Sequence, residues 1–265
     1  FISTTTSGQG NAGNITVSAR DIEMNGGGDG FFTTLVTMTF AFAKGNAGNL
    51  TLKAAESLTL HDAFISTGSF GSAQGNTGKL TVSANAIEIN AVSVLAGLFA
   101  QQGSGKGKGG NLTLKAAESL TLNGNGAMST TTFGDGDAGN LTVSARDIEM
   151  SGKSRMVAQT DGGKGKGGTL TVKAAESLTL QDEAFISTTA YSDGDAGNLT
   201  VSARDIEMSR LGLFAQTENK GNGGNLTVEV AESLTLQDGA IISTISLGDG
   251  DAGNITISAR DIEII

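Results

Sequence analysis

Apolar and polar residues alternate in short runs that recur along the whole chain. Leu141, Val143 and Ala145 take every second place with Thr142 and Ser144 between them, and the phase then slips before Ile148 and Met150. A period of two predicts a strand, and the slip predicts a corner with a second short strand beyond it. The rest of each unit predicts a third strand, clearest at Ala184-Phe-Ile-Ser-Thr-Thr189 and Ala240-Ile-Ile-Ser-Thr-Ile245. No segment sustains a helical period. Lys115 to Leu120 has good helix formers but is too short to nucleate a helix between strand-like neighbours.

The pattern comes in two alternating versions. One reads Asn140-Leu-Thr-Val-Ser-Ala-Arg-Asp-Ile-Glu-Met150, with relatives starting at Asn14, Lys79, Asn198 and Asn254. The other reads Asn111-Leu-Thr-Leu-Lys-Ala-Ala-Glu-Ser-Leu-Thr-Leu122, with relatives at Asn49, Thr169 and Asn225. Each of the nine units is preceded by two glycines three places apart, such as Gly136 and Gly139, and unit starts lie 27 to 35 residues apart. Such a period marks a repeat architecture. The predicted fold is all-β: a right-handed parallel β-helix, or solenoid, of about nine coils of roughly 29 residues with three short strands each. Strands stacked about 4.8 Å apart give a rod roughly 40 Å long. Ile15, Leu50, Leu80, Leu112, Leu141, Leu170, Leu199, Leu226 and Ile255 then form one interior column, with a second running from Val17 to Ile257. A third, from Ala19 to Ala259, is alanine except at Val230, and is expected where the walls come close. Leucine-rich repeats and propellers fit worse, because neither the leucine frame nor a four-strand blade is present.

Residues 1–265 therefore form one repeat array, and the start at Phe1 in mid-pattern makes an internal piece of a longer protein the expectation. The 40 glycines sit at fixed turn positions, and proline, which would remove a ladder hydrogen bond, is absent. A net charge of −10 argues against nucleic acid and anionic membrane surfaces as partners. There is no cysteine, His61 is the lone histidine, and no apolar run approaches the roughly 20 residues of a membrane span.

Each chemically suggestive motif is better explained by the repeat. The glycine pairs are expected to serve a turn needing positive φ, and the helix that a phosphate-binding loop requires does not follow them. Asp135 and Asp137, Asp193 and Asp195, and Asp249 and Asp251 resemble calcium-binding turns, but Lys106, Lys108, Lys164, Lys166 and Lys220 fill the same offsets in the intervening units. Alternating charges along one edge of the rod are expected instead. Asparagines from Asn14 to Asn254 are expected to stack as an amide ladder. Threonines from Thr16 to Thr256 form an outward row that an ice-binding surface would want, but lysines interrupt the next column. Asp147, Glu149, Asp205, Glu207, Glu118 and Glu176 recur in unit after unit, whereas glycoside cleavage needs one special acid pair. The irregular segments 25–44 and 90–105 gather Phe31, Phe32, Phe40, Phe42, Leu95, Leu98 and Phe99, expected to pad the core or to bulge from the rod.

Gly-Asn-Leu-Thr-Val-Ser-Ala-Arg-Asp-Ile-Glu-Met alternating with Glu-Ser-Leu-Thr-Leu-Gln-Asp-Gly-Ala-Ile-Ile-Ser-Thr resembles the repeats of filamentous haemagglutinin-like exoproteins of two-partner secretion, over essentially the whole chain. The resemblance implies a right-handed β-helical shaft, export through an outer-membrane secretion barrel, and an adhesive or filamentous role outside the bacterial outer membrane. The expected function is a shaft segment of a secreted or surface adhesin, without catalysis. Its partners would be neighbouring coils of the parent protein and a host-cell, matrix or carbohydrate surface, with no nucleic acid and no membrane span. No catalytic, cofactor-binding or metal-binding residue is assigned, and no cofactor is expected. The alternatives are a carbohydrate-active β-helix enzyme and an ice- or carbohydrate-binding β-helix surface.

Overall fold

A computed structural model describes residues 1–26, 33–92 and 96–265. Among these the structure is all-β, with strands in two parallel sheets wound into a solenoid of nine coils. The predicted columns are observed in register. Ile15 pairs with Leu50, Leu50 with Leu80, and so on to Leu226 with Ile255, each one coil apart. From Leu50 to Leu226 the side chains of this column are fully buried. Each contributes about 1.5–3 kcal/mol relative to the exposed state.

In most coils the first two strands are one continuous bent strand, such as Leu141–Met150 or Leu170–Leu180. In the last three coils they separate, as Leu199–Ala203 and Asp205–Ser209 show. Both forms belong to the twelve-stranded sheet. The corner is a one-residue bulge: Ala145 pairs with Ala174, but Asp147 then pairs with Ser177. Coils of the Lys-Ala-Ala-Glu-Ser type carry one more residue there than coils of the Ser-Ala-Arg-Asp type. The alanine column is thus explained by the bend, where it sits immediately before the register shift.

The third strands, from Ile2–Thr6 to Ile241–Ser246, form the nine-stranded sheet. Leu35, Ile65, Leu98, Met128, Met156, Ile186 and Leu213 point into the core. Two places on, a second inward column is threonine at Thr4, Thr37 and Thr67 and from there alternates threonine with Ala100, Ala158 and Ala215. The buried hydroxyls of Thr67, Thr130 and Thr188 donate to the carbonyls of Gly78, Gly139 and Gly197 at 2.9, 2.6 and 2.6 Å. Sheet and glycine turn are thereby tied within one coil.

The reason for the glycine pairs differs from the expectation. None of them has positive φ. A Cβ on Gly139 would instead overlap the carbonyl of Gly110, its equivalent one coil back, and the same holds for Gly136 against Gly107. The coils approach so closely at this turn that no side chain fits along the axis. Positive φ occurs instead at the corner where the second strand passes to the third, as at Gly124 and Gly152 with φ of 65° and 70°, and in the loop just before the glycine pair, at Phe42, Gly71 and Gly163.

Candidate interaction face

Much of the chemistry in the sequence is consumed by holding one coil on the next. Asn49 Oδ1 accepts the backbone N–H of Lys79 at 2.8 Å, and Asn111, Asn140, Asn198 and Asn225 repeat the bond to the coil that follows. The expected ladder exists, but its rungs run chiefly from amide oxygen to backbone N–H; Asn254 to Asn225 adds an amide–amide contact at 3.3 Å. A second ladder occupies the slot after the first glycine. Asn11, Asn46 and Asn76 accept from residues 46, 76 and 108, and Asp137, Asp195 and Asn222 accept from residues 166, 222 and 251. Asparagine and aspartate share that slot because each supplies an Oδ1 acceptor, a signal legible in the alignment of units.

The Asp-Lys alternation is therefore only partly an ion ladder. Lys166 Nζ meets Asp195 Oδ2 at 3.0 Å, which raises the lysine pKa. Asp195 is held below the ordinary carboxylate range by the N–H of Asn222 and then by Lys166. Other ion pairs lie at the bulged corner, where Arg204 meets Glu176 at 3.1 Å and Arg260 meets Glu232 at 2.7 Å. Asp147 and Asp205 are lowered chiefly by the hydroxyls of Ser177 and Ser233, at 2.7 and 2.6 Å. Glu149 stacks between Thr121 and Thr179, and Glu207 between Thr179 and Thr235. Along every outer column of this sheet a charged residue has a neutral or opposite neighbour in the next coil. The acids considered for glycoside cleavage thus recur along the rod. The displaced aspartate pKa values all move downward, against the direction that a general acid needs.

Among the described residues no cluster of three or more His, Cys, Asp or Glu side chains is placed to hold a metal ion. A cleft of about 590 Å³ opens at the corner between the second and third strands, lined by His61, Asn90, Val92, Asn123 and Lys153 among others, with no carboxylate among the described residues of its lining. Asn123 bridges Ser151 and Asn90 there, with both hydrogen bonds at 2.8 Å.

The outer face of the nine-stranded sheet is of a different kind. Residues alternating with the inward columns form a middle column that reads Ser3, Val36, Ser66, Phe99, Ser129, Val157, Ser187, Phe214, Ser243. Small and large side chains alternate from coil to coil. The columns on either side include Gly68, Gly97, Gln101, Ala127, Gln159, Phe185, Gly212 and Gln216. Across all three columns of described residues Arg155 is the one charged side chain, and burial pushes its pKa down. Phe40, Phe70, Phe133 and Tyr191 line the adjoining edge and are partly exposed. Burial first, then Glu218 and Asp161, raises the Tyr191 pKa. Edge-to-face contacts join Phe64 with Phe99 and Phe185 with Phe214, at 6.3 and 6.5 Å.

No described aromatic side chain belongs to the interior cluster. Of the residues expected to pad the core or to bulge from the rod, padding holds for Leu98 and not for the described phenylalanines. Leu98 is in the core and Phe99 is 6% exposed on the outer face, while Phe40 and Phe42 are 47% and 83% exposed. Phe31, Phe32 and Leu95 lie outside the described residues. The chain's aromatic surface thus collects along a nearly charge-free side of an otherwise acidic rod.

Comparison with protein-family models, curated proteins and solved structures finds no match to this chain. No helix among the described residues is long and apolar enough to cross a membrane.

Proposed function

We propose that this chain is a structural shaft segment of a large secreted or surface-exposed bacterial adhesin of the filamentous haemagglutinin-like kind, serving adhesion or filament formation without catalysis. The observation that carries the reading is the persistence of the same columns and ladders from coil to coil, with the acids recurring along the stack. A catalytic pair needs one coil unlike the rest, whereas a shaft needs every coil to accept the next. Carboxylates committed to Ser, Asn and Lys partners in adjacent coils support stacking over chemistry. The charge-poor face gives such a shaft one side suited to contact. On this reading the protein works outside the outer membrane, delivered there through a partner barrel.

Antibody raised against the chain is expected to label intact source cells, with the signal lost after protease treatment of the cell exterior. Labelling only after permeabilisation would overturn the proposed location. Incubation of the purified chain with uronate-containing and neutral polysaccharides is expected to release no new reducing ends or unsaturated products. Their release would favour the enzymatic alternative.

A further inference from the structure

Aromatic rings and side-chain amides recur every second coil along one margin of the nine-stranded sheet, and we infer that this margin is a binding track for a neutral, extended, β-linked polysaccharide of the cellulose, mannan or chitin kind. The track rests on the adhesin reading in that it names the surface such a shaft would grip, while its chemistry follows from the margin itself.

The residue just past each third strand donates its N–H to the coil before, which sets Phe70, Gly103, Phe133, Asp161, Tyr191, Glu218 and Leu247 in one column. Rings thus stand at Phe70, Phe133 and Tyr191, two coils apart, and they are 41%, 43% and 39% exposed. Ser129, Val157 and Ser187 of the middle column are nearly buried, so contact with a ligand falls to this margin. Two residues before each ring, in its own coil, stands Gly68, Thr131 or Thr189, and the coils between carry Gln101, Gln159 and Gln216. A Cβ on Gly68 would lie 2.9 Å from Cε2 of Phe70, so that ring leans over the sheet where no side chain obstructs it. The amides of Gln101, Gln159 and Gln216 make no hydrogen bond to any described residue. Around Tyr191 the margin opens as a groove of about 210 Å³, lined by Gln159, Gln216, Phe185, Phe214 and Thr189 among others.

Two coils span about 9.6 Å. A cellulose-type chain repeats on nearly that length, because each sugar is turned over relative to the last and every second one presents the same face. Those faces carry axial C–H groups, which pack on the negative face of an aromatic ring. The edges carry equatorial hydroxyls, to which a glutamine amide can both donate and accept. A chain laid along the shaft would therefore meet a ring at every second sugar and a free amide in the coil between. An α-linked chain curls away after one ring. Stacked strands hold the row rigid before the ligand arrives, which lowers the cost of binding. Charge selects a neutral glycan: Asp161 and Glu218 stand between the rings on a chain of net charge −10, which repels uronates and sulfated sugars.

Isothermal titration of the full chain with cellohexaose, mannohexaose and chitohexaose separates the three kinds of glycan. At least one is expected to bind, and maltohexaose, an α-linked chain of the same length, is not. The matching disaccharide reaches a single ring and is expected to bind ~100-fold more weakly than the hexaose. Phe133→Ala and Tyr191→Ala are each expected to weaken binding roughly 10-fold. Phe42→Ala, which removes an exposed ring outside the row, is expected to leave it unchanged. Phe133→Trp offers a larger face and is expected to bind more tightly, a gain that a merely structural ring would not give and that stands even if the alanine variants fold poorly. No binding of the three β-linked hexaoses, equal binding of maltohexaose, or indifference to Phe133 and Tyr191 would overturn the proposal. Such a result for a chain that antibody still finds on the cell exterior removes the track alone, whereas tight binding by a chain labelled only after permeabilisation removes the adhesin reading alone.

Discussion

Replacing Gly139 by alanine is expected to cost more than about 4 kcal/mol, the range of exceptional single substitutions. The added methyl would enter the space of the Gly110 carbonyl, and relief requires adjacent coils to part where the asparagine rungs join them. Gly10→Ala is the control. Nothing lies within 4 Å of a Cβ there and φ is not positive, so the change is expected to be neutral or to stabilise by up to about 1 kcal/mol through the unfolded chain. Asp137→Ala, in the same turn as Gly139, removes one ladder acceptor and is expected to cost about 1 kcal/mol. Thermal unfolding followed by circular dichroism ranks the three. Equal costs at Gly139 and Gly10 would mean that local backbone freedom, not the coil below, explains the glycines.

Removing one coil is expected to destabilise more than removing two. Deletion of residues 140–168 joins Gly139 to Thr169 and stacks two coils of the same type. Lys115 then meets Lys173, Glu118 meets Glu176, and Asp137 meets Asp195, each pair about 4.8 Å apart along the axis. Like charges at such spacing cost up to about 1 kcal/mol each at the surface, so the sum is roughly 1–3 kcal/mol. Deletion of residues 140–197 joins Gly139 to Asn198 and restores the order, with Glu118 beside Arg204 as Glu176 is in the parent. The shorter chain is expected to melt at the higher temperature in dilute buffer. The gap should narrow in molar salt, which screens the repulsion. A longer chain that melts higher in both buffers would show that the alternation of coil types does not set which coil follows which.

The sequence shows the two strands before and after the bulged corner plainly, because one face of each is apolar and the other polar: Leu141, Val143, Ile148 and Met150 are buried while Thr142 and Glu149 are exposed. The third strand is less legible. Its inward column contains Thr130 and Thr188, polar residues that bury because each hydroxyl has a glycine carbonyl to bond. Its outward column contains Phe99 and Val157, apolar residues nearly as buried as the core. Alternation there gives no sign of which face is which, so the aromatic side emerges only once the register is known. The glycines mislead for a similar reason. Their constraint comes from a carbonyl about 29 residues away in sequence, as in Gly139 over Gly110, and a turn considered alone suggests positive φ instead.

Paired spin labels along the threonine row test the one-unit-per-coil stack most directly. Thr51, Thr171, Thr227 and Thr256 lie in one column, with the last three four, six and seven coils beyond Thr51. Pulsed electron–electron resonance from a label at Thr51 is expected to give distances near 19, 29 and 34 Å to labels at the other three, rising by about 4.8 Å per coil. Distances that level off or shorten toward Thr256, as in a ring of blades closing on itself, would contradict the account.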